Sequence, residues 1–195
     1  MDRHLREAML RFNINTPLRR AHFLAQVAHE SANFTAVREN LNYSVEALLR
    51  AFPKRIDPAT AKKVGRAPGQ DADQEGIANA IYGGEWGARK LGNTEPGDGW
   101  RFIGRGYIQI TGRANYAQCS RDLFGSGVLL RAPQMLELAS NAAASAGWFW
   151  HSRNLNALAD KDDLEGITRV INGGVNGLEH RRELLAKYKA DLGVT

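Results

Sequence analysis

Glu30 and Glu39 stand nine positions apart in "AHESANFTAVREN", residues 28–40. Two carboxyl groups in unlike surroundings can divide acid and base work, one holding a proton and the other taking one. Spacing sets a condition on that chemistry. A helix rises about 1.5 Å and turns about 100° per residue, so on one unbroken helix these side chains would point apart. If they cooperate, the helix must stop after Glu30 and the chain must turn back. Ser31, Asn33 and Thr35 favour such a stop, because their side chains compete for backbone hydrogen bonds.

Phe23, Val27, Glu30 and Phe34 fall on one helical stripe, which sets Glu30 against an apolar wall. A carboxyl there is expected to keep its proton to higher pH, as a general acid must. Glu39, between Arg38 and Asn40, is expected to stay ionised. The plainer alternative is a helix-end glutamate at 30 and a surface ion pair at 39.

Other site chemistries lack their residues. His29–Glu30 begins a zinc-binding H-E-x-x-H run, but Asn33 replaces the second histidine. Gly104 and Gly106 are followed by Gln109 where a dinucleotide loop needs a third glycine. No phosphate loop and no G-x-S-x-G elbow occur. No metal and no organic cofactor is expected.

The elements that must carry these residues are mostly helical. Thr16 with Pro17, Ser44, and Asp57 with Pro58 are helix starts. Helices follow over "QDADQEGIANAIYGG", "SNAAASAGWFWHS", "DDLEGITRVINGG" and "GLEHRRELLAKYKADLG". Residues 83–100 hold six glycines and a proline and read as a long shaped loop. "RFIGRGYIQIT" reads as a short strand or hairpin. Trp148, Phe149 and Trp150 read as core. Thr111 could serve as the N-cap of "GRANYAQCSRDLF", and Asn172–Gly173 as a helix C-cap.

Length and composition bound the rest. The 195 residues suit a single catalytic domain over 1–195, with a smaller helical lobe at about 44–80 within it. Cys119 is the only cysteine, so no internal disulfide forms. No apolar run approaches the roughly 18 residues of a membrane span, and no signal peptide is evident at the start. Synthesis in a cytoplasm and no stable membrane insertion are expected. A net charge of +5 and a pI near 9.6 favour anionic partners. The basic residues are scattered rather than striped, so nucleic acid is not the expected partner.

"AHES", "ENLNYS", "YGGEWG…GDGWRFIGRGYIQITGRANY", "AGWFW" and "ITRVINGGVNG" occur in this order between Ala21 and Val194. Together they resemble glycoside hydrolase family 19, the chitinase-like enzymes, and more closely its bacteriophage endolysin branch. The resemblance implies a mainly α, lysozyme-like (α+β) fold: a two-lobed helical domain with a small β element beside the cleft. It implies Glu30 as general acid, Glu39 as general base, and Thr111 as the residue that helps hold the attacking water. Sugar contacts match His29, Gln109, Asn115 and Asn172, and an arginine near the C-terminus matches Arg181.

The expected reaction is inverting hydrolysis of β-1,4 bonds between N-acetylated hexosamines, with carboxyls about 6.5–9.5 Å apart to admit water. Trp86, Trp100 and Tyr107 offer apolar faces for sugar rings. The expected substrate is the glycan strand of bacterial peptidoglycan. The expected setting is the host cytoplasm, followed by a holin-assisted route to the periplasmic wall, with the enzyme a monomer. The alternatives are a lytic transglycosylase using Glu30 alone, a chitinase acting on chitin, and a non-catalytic wall-binding module.

Overall fold

A computed structural model describes residues 2–194. The fold is mainly helical, and its chain divides into two compact units. One unit takes in the chain through Val37, Gly106–Gln109, and the chain from Met135 onward. The other comprises Arg38–Arg105 and Ile110–Gln134.

The first unit contains α1 (Arg3–Arg11), α2 (Pro17–Glu30), α10 (Ala139–Ser152), α11 (Leu155–Ala159), α12 (Leu164–Asn172) and α13 (Leu178–Asp191). Helix α2 starts where the sequence indicates: Thr16 Oγ1 accepts the Arg19 amide and Pro17 takes the first helical position. It packs against α13, and Ala21, Ala25 and Ala28 share a core cluster with Leu184 and Leu185 of α13 and Leu164 of α12. The small alanines let the two helices approach closely. Helix α1 packs on α10, where Gly147 leaves room for Phe12: a β-carbon at 147 would lie 2.5 Å from the Phe12 ring. Trp148 and Trp150 are core, and Trp150 meets Phe23 edge-on at 5.5 Å. Burial of each such side chain contributes about 1.5–3 kcal/mol.

The second unit contains α3 (Val45–Ala51), α4 (Pro58–Val64), α5 (Gln74–Tyr82), α6 (Gly84–Leu91), α7 (Asp98–Arg101), α8 (Arg113–Phe124) and α9 (Val128–Arg131). A 3-10 turn at Pro133–Glu137 leads back to the first unit. Leu41, Leu48, Ile77, Ile81 and Ile103 are among its core residues. The helices over 44–80 belong to this unit. Arg113 grips Asp98 with Nε and Nη2, each at 2.6 Å. Burial alone would raise the Asp98 pKa, but the guanidinium and the backbone amides of Glu95 and Thr94 together outweigh it and hold the carboxyl below its usual range.

Two sequence expectations are corrected. Residues 83–100 are not one long loop, because α6 and α7 occupy most of them. Gly83 ends α5 and at once caps α6, and Gly92 closes α6 in the left-handed region at φ 67°. Gly83, Gly92 and Gly97 mark helix ends, whereas Gly87 and Gly99 lie inside helices, where a β-carbon would meet the backbone of Tyr82 and Ala78. Secondly, "RFIGRGYIQIT" forms no continuous strand, and of the hairpin alternative the structure keeps a reversal closed by an antiparallel bridge. Arg105 and Ile110 exchange backbone hydrogen bonds of 3.1 and 2.8 Å around a tight reversal. Gly106 at φ 74° and Gln109 at φ 54° take the chain out of extended geometry.

Helix α2 stops at Glu30, as two cooperating carboxyls would need. Ala32, Asn33 and Phe34 then adopt positive φ of 48°, 57° and 65° in succession. Left-handed geometry costs about 1–2 kcal/mol for each residue carrying a β-carbon. Ser31 offsets part of this strain: its hydroxyl donates to the Val27 carbonyl at 2.6 Å and accepts the Phe34 amide at 2.9 Å. Phe34 therefore leaves the helical stripe on which the sequence set it.

Candidate active site

Glu30 is the last residue of α2, and its side chain is 21% exposed. The apolar wall expected around it is replaced by a guanidinium: Arg181 of α13 donates from Nη2 to Glu30 Oε1. Arg181 is only 1% exposed. Its Nη1 donates to Gln26 Oε1 at 2.5 Å, and Gln26 Nε2 donates to Thr168 Oγ1 at 3.0 Å. Thr168 then donates to the Leu164 carbonyl at 2.7 Å. Gln26 thus accepts from the arginine with its oxygen and donates to Thr168 with its nitrogen, while the buried Arg181 Nε has no hydrogen-bond partner among the described residues. Arg181, expected as a sugar contact, instead faces Gln26 and Glu30 from inside the fold.

His29 stands beside Glu30, with Nδ1 2.8 Å from His180 Nδ1. One ring must donate and the other accept across that contact. Burial, and then the Arg181 charge, push the His29 pKa below the usual histidine range, so a neutral ring is favoured. Gly177 closes over this ring with φ 72°, and a β-carbon there would lie 2.3 Å from His29 Cε1.

In the second unit, Glu39 is held at both oxygens. Oε1 accepts the Gly104 amide at 2.5 Å and Oε2 accepts the Tyr82 hydroxyl at 2.8 Å. The Glu39 backbone amide donates to the Gly104 carbonyl at 2.9 Å, which ties residue 39 to the reversal after α7. Burial first, and then the Glu39 charge, push the Tyr82 phenol far above its usual pKa. It is therefore a hydrogen donor at any working pH. Tyr43 is raised by the same two causes.

Thr111 follows the Arg105–Ile110 reversal and is partly exposed. It is not the cap of α8, since Gly112 takes that position. Asn115, one turn into α8, donates Nδ2 to the Thr111 carbonyl at 2.8 Å and so fixes its backbone. Gln109 donates Nε2 to the Gly106 carbonyl at 2.9 Å. Asn172 ends α12 before the left-handed Gly173 and bonds to the Asn176 carbonyl at 3.3 Å, which fits the helix C-cap reading. Of the aromatic side chains, Tyr107 is buried. Trp86 lies under Arg55 at 3.6 Å, and Trp100 under Arg38 at 4.8 Å.

The structure thus joins Glu30 and Arg181 in one network, pairs His29 with His180 beside it, places Glu39 in a second network, and pairs Thr111 with Asn115. Sequence reasoning missed Gln26, Thr168, His180 and Tyr82. Gln26 and Thr168 carry a signal of a kind, as polar side chains at core positions of their helices, both fully buried. Among the described residues, no group of three or more His, Cys, Asp or Glu side chains is placed to hold a metal ion. No described helix is long and apolar enough to cross a membrane.

No family model matches the chain. In fold, it is similar to chitinase C from Streptomyces griseus HUT6037, with a TM-score of 0.61 at 20% identity, over 98% of this chain and 84% of that one. It is similar again to a bacterial family 19 chitinase, with a TM-score of 0.60 at 20% identity, over 98% and 86%. These two comparisons establish a shared, mainly helical fold. In sequence, it is 41% identical over 173 residues to a glycosyl hydrolase family 19 domain-containing protein of Haemophilus influenzae (strain Rd). That match covers 86% of this chain and 76% of the relative. With that identity over that share of both proteins, the chain belongs to glycosyl hydrolase family 19.

Proposed function

We propose that this glycoside hydrolase is an endolysin that cuts β-1,4 bonds of bacterial peptidoglycan with inversion. Glu30 in its protonated form donates to the glycosidic oxygen as the bond from that oxygen to the anomeric carbon breaks. Water held with Thr111 attacks that carbon from the opposite face, and Glu39 takes the proton the water loses. The cycle closes when Glu39 releases its proton to solvent and Glu30 regains one.

The observation that carries this reading is the unlike support of the two carboxyls. Glu30 faces a buried guanidinium, which stabilises the negative charge appearing as the proton leaves. Glu39 faces two neutral donors that aim it without neutralising it. Arg181 acts through Glu30, whereas His29, Gln109, Asn115 and Asn172 are proposed to meet the sugars.

The pI near 9.6 supports an anionic wall polymer as substrate. Chitin is the competing polymer, by analogy with the chitinases that share the fold. In this reading the enzyme works as a monomer without a metal and reaches the wall from the host cytoplasm with the help of a holin.

Digestion of purified peptidoglycan, with analysis of the products, tests the proposal. Hydrolysis gives new reducing ends whose first-formed anomer is α. Anhydro ends, with activity surviving Glu39→Gln, would instead make the protein a lytic transglycosylase.

A further inference from the structure

The second unit carries an open pocket of about 430 Å3 that the acid/base chemistry leaves unused. Trp100, Arg101, Arg105 and Arg131 line it, with Pro96 and Gln134. Its lining, among the described residues, holds no carboxylate. Arg101 donates to the Leu130 carbonyl from Nε at 3.2 Å and Nη2 at 2.8 Å, and to the Arg131 carbonyl at 3.4 Å. Neutral carbonyls fix that guanidinium without cancelling its charge. Arg105 donates to the Arg101 carbonyl at 2.9 Å and to the Tyr116 hydroxyl at 3.1 Å. Arg131 ends α9 and is exposed. Asp98, in the same short helix as Arg101, is occupied by Arg113. Behind the lining, the Arg38 guanidinium lies 4.8 Å over the Trp100 ring.

A planar guanidinium held in a fixed place matches a carboxylate, and the indole face beside it accepts an apolar surface. A neutral N-acetylated polymer offers such a pocket no anion. We propose that this pocket binds carboxylates of the acidic peptides attached to the wall glycan, an inference that rests on the peptidoglycan reading above. The pocket would then separate peptide-bearing glycan from chitin.

Equilibrium binding tests this, with the full chain carrying Glu30→Gln to stop turnover. The probes are a soluble peptide-bearing wall glycan, the same glycan stripped of its peptides, and chitotetraose. The peptide-bearing probe is expected to bind tightest. Arg131→Gln weakens that binding about threefold to fivefold, as for a solvent-exposed ion pair. Arg131→Glu weakens it further, Arg131→Lys restores most of it, and none of the three changes chitotetraose binding. Arg101→Gln, at a second lining arginine, is the second variant and follows the same pattern. Unchanged affinity for the peptide-bearing glycan in these variants would overturn the proposal. So would an equal loss on chitotetraose, or an equal preference for the peptide-stripped glycan. Failure of the hydrolytic reading shows separately, as no new reducing ends from any of the three probes with the wild-type protein.

Discussion

Tyr82 donates its hydroxyl hydrogen to Glu39 Oε2 at 2.8 Å while the Gly104 amide donates to Oε1 at 2.5 Å. The carboxylate is thus held in one orientation by a side chain from α5 and a backbone group after α7. Removing the phenol leaves the backbone bond and frees the other oxygen. A hydrogen bond to a charged group contributes about 1.5–3 kcal/mol, or roughly a ten- to hundredfold change in rate if all of it acts in the transition state. Tyr82→Phe is expected to lower kcat by about tenfold or more with little change in KM. Steady-state kinetics on a soluble oligosaccharide check this, and a parallel rise in KM would assign Tyr82 to substrate binding.

The Arg181 guanidinium is buried and shared between Gln26 and Glu30. Removing one partner of a buried pair costs about 3–5 kcal/mol, because the other is left uncompensated. Arg181→Ala is expected to lower unfolding free energy by about 3 kcal/mol. Arg181→Lys keeps the charge but loses the fork that reaches both acceptors. It should recover part of the stability and little of the activity. Urea unfolding beside kinetics separates the two effects.

Gly177 sits at φ 72° against the His29 ring. Gly177→Ala adds left-handed strain of about 1–2 kcal/mol and drives a methyl group into the ring. His29 must then move away from His180. The expected result is weaker oligosaccharide binding and a small loss of thermal stability. A His29 ring signal unchanged in NMR spectra of the variant would contradict the contact.

His22 is fully buried, with Nε2 2.7 Å from Asp162, which also takes Lys189. Burial, the largest cause, pushes the His22 pKa down in spite of Asp162. His29 is depressed for a related reason. A histidine depressed in the fold binds its proton more readily when unfolded, so stability is full above the unfolded value near 6.5 and falls as pH drops below it. Melting temperature should decline from about pH 6.5 downward. His22→Gln should start lower at neutral pH and show a shallower slope. A wild-type melting temperature flat from pH 7 to 5 would contradict this.

The helix starts were legible because capping is local. Thr16 with Pro17 and Asp57 with Pro58 behave as their residue types require. The stop after Glu30 was legible for the same reason, through Ser31 and its neighbours. Three left-handed residues in a row, Phe34 among them, were not, since nothing local favours that conformation for a phenylalanine. Gly83, Gly92 and Gly97 misled because a helix end and a loop use the same residue. The supports of the two glutamates were illegible for a different reason. Gln26 and Arg181 are 155 positions apart, and Glu39 and Tyr82 are 43 apart. Such pairings follow from helix packing, which one sequence does not display. Glu30 itself could be picked out, but the stripe that suggested an apolar wall led to a guanidinium.

The most direct test of the acid/base assignment is digestion of purified peptidoglycan by the wild type, Glu30→Gln and Glu39→Gln, with mass analysis of the released ends. Reducing-end hydrolysis is expected from the wild type, with its loss in both variants, each still folded by circular dichroism. Undiminished hydrolysis by folded Glu39→Gln, or by folded Glu30→Gln, would contradict it.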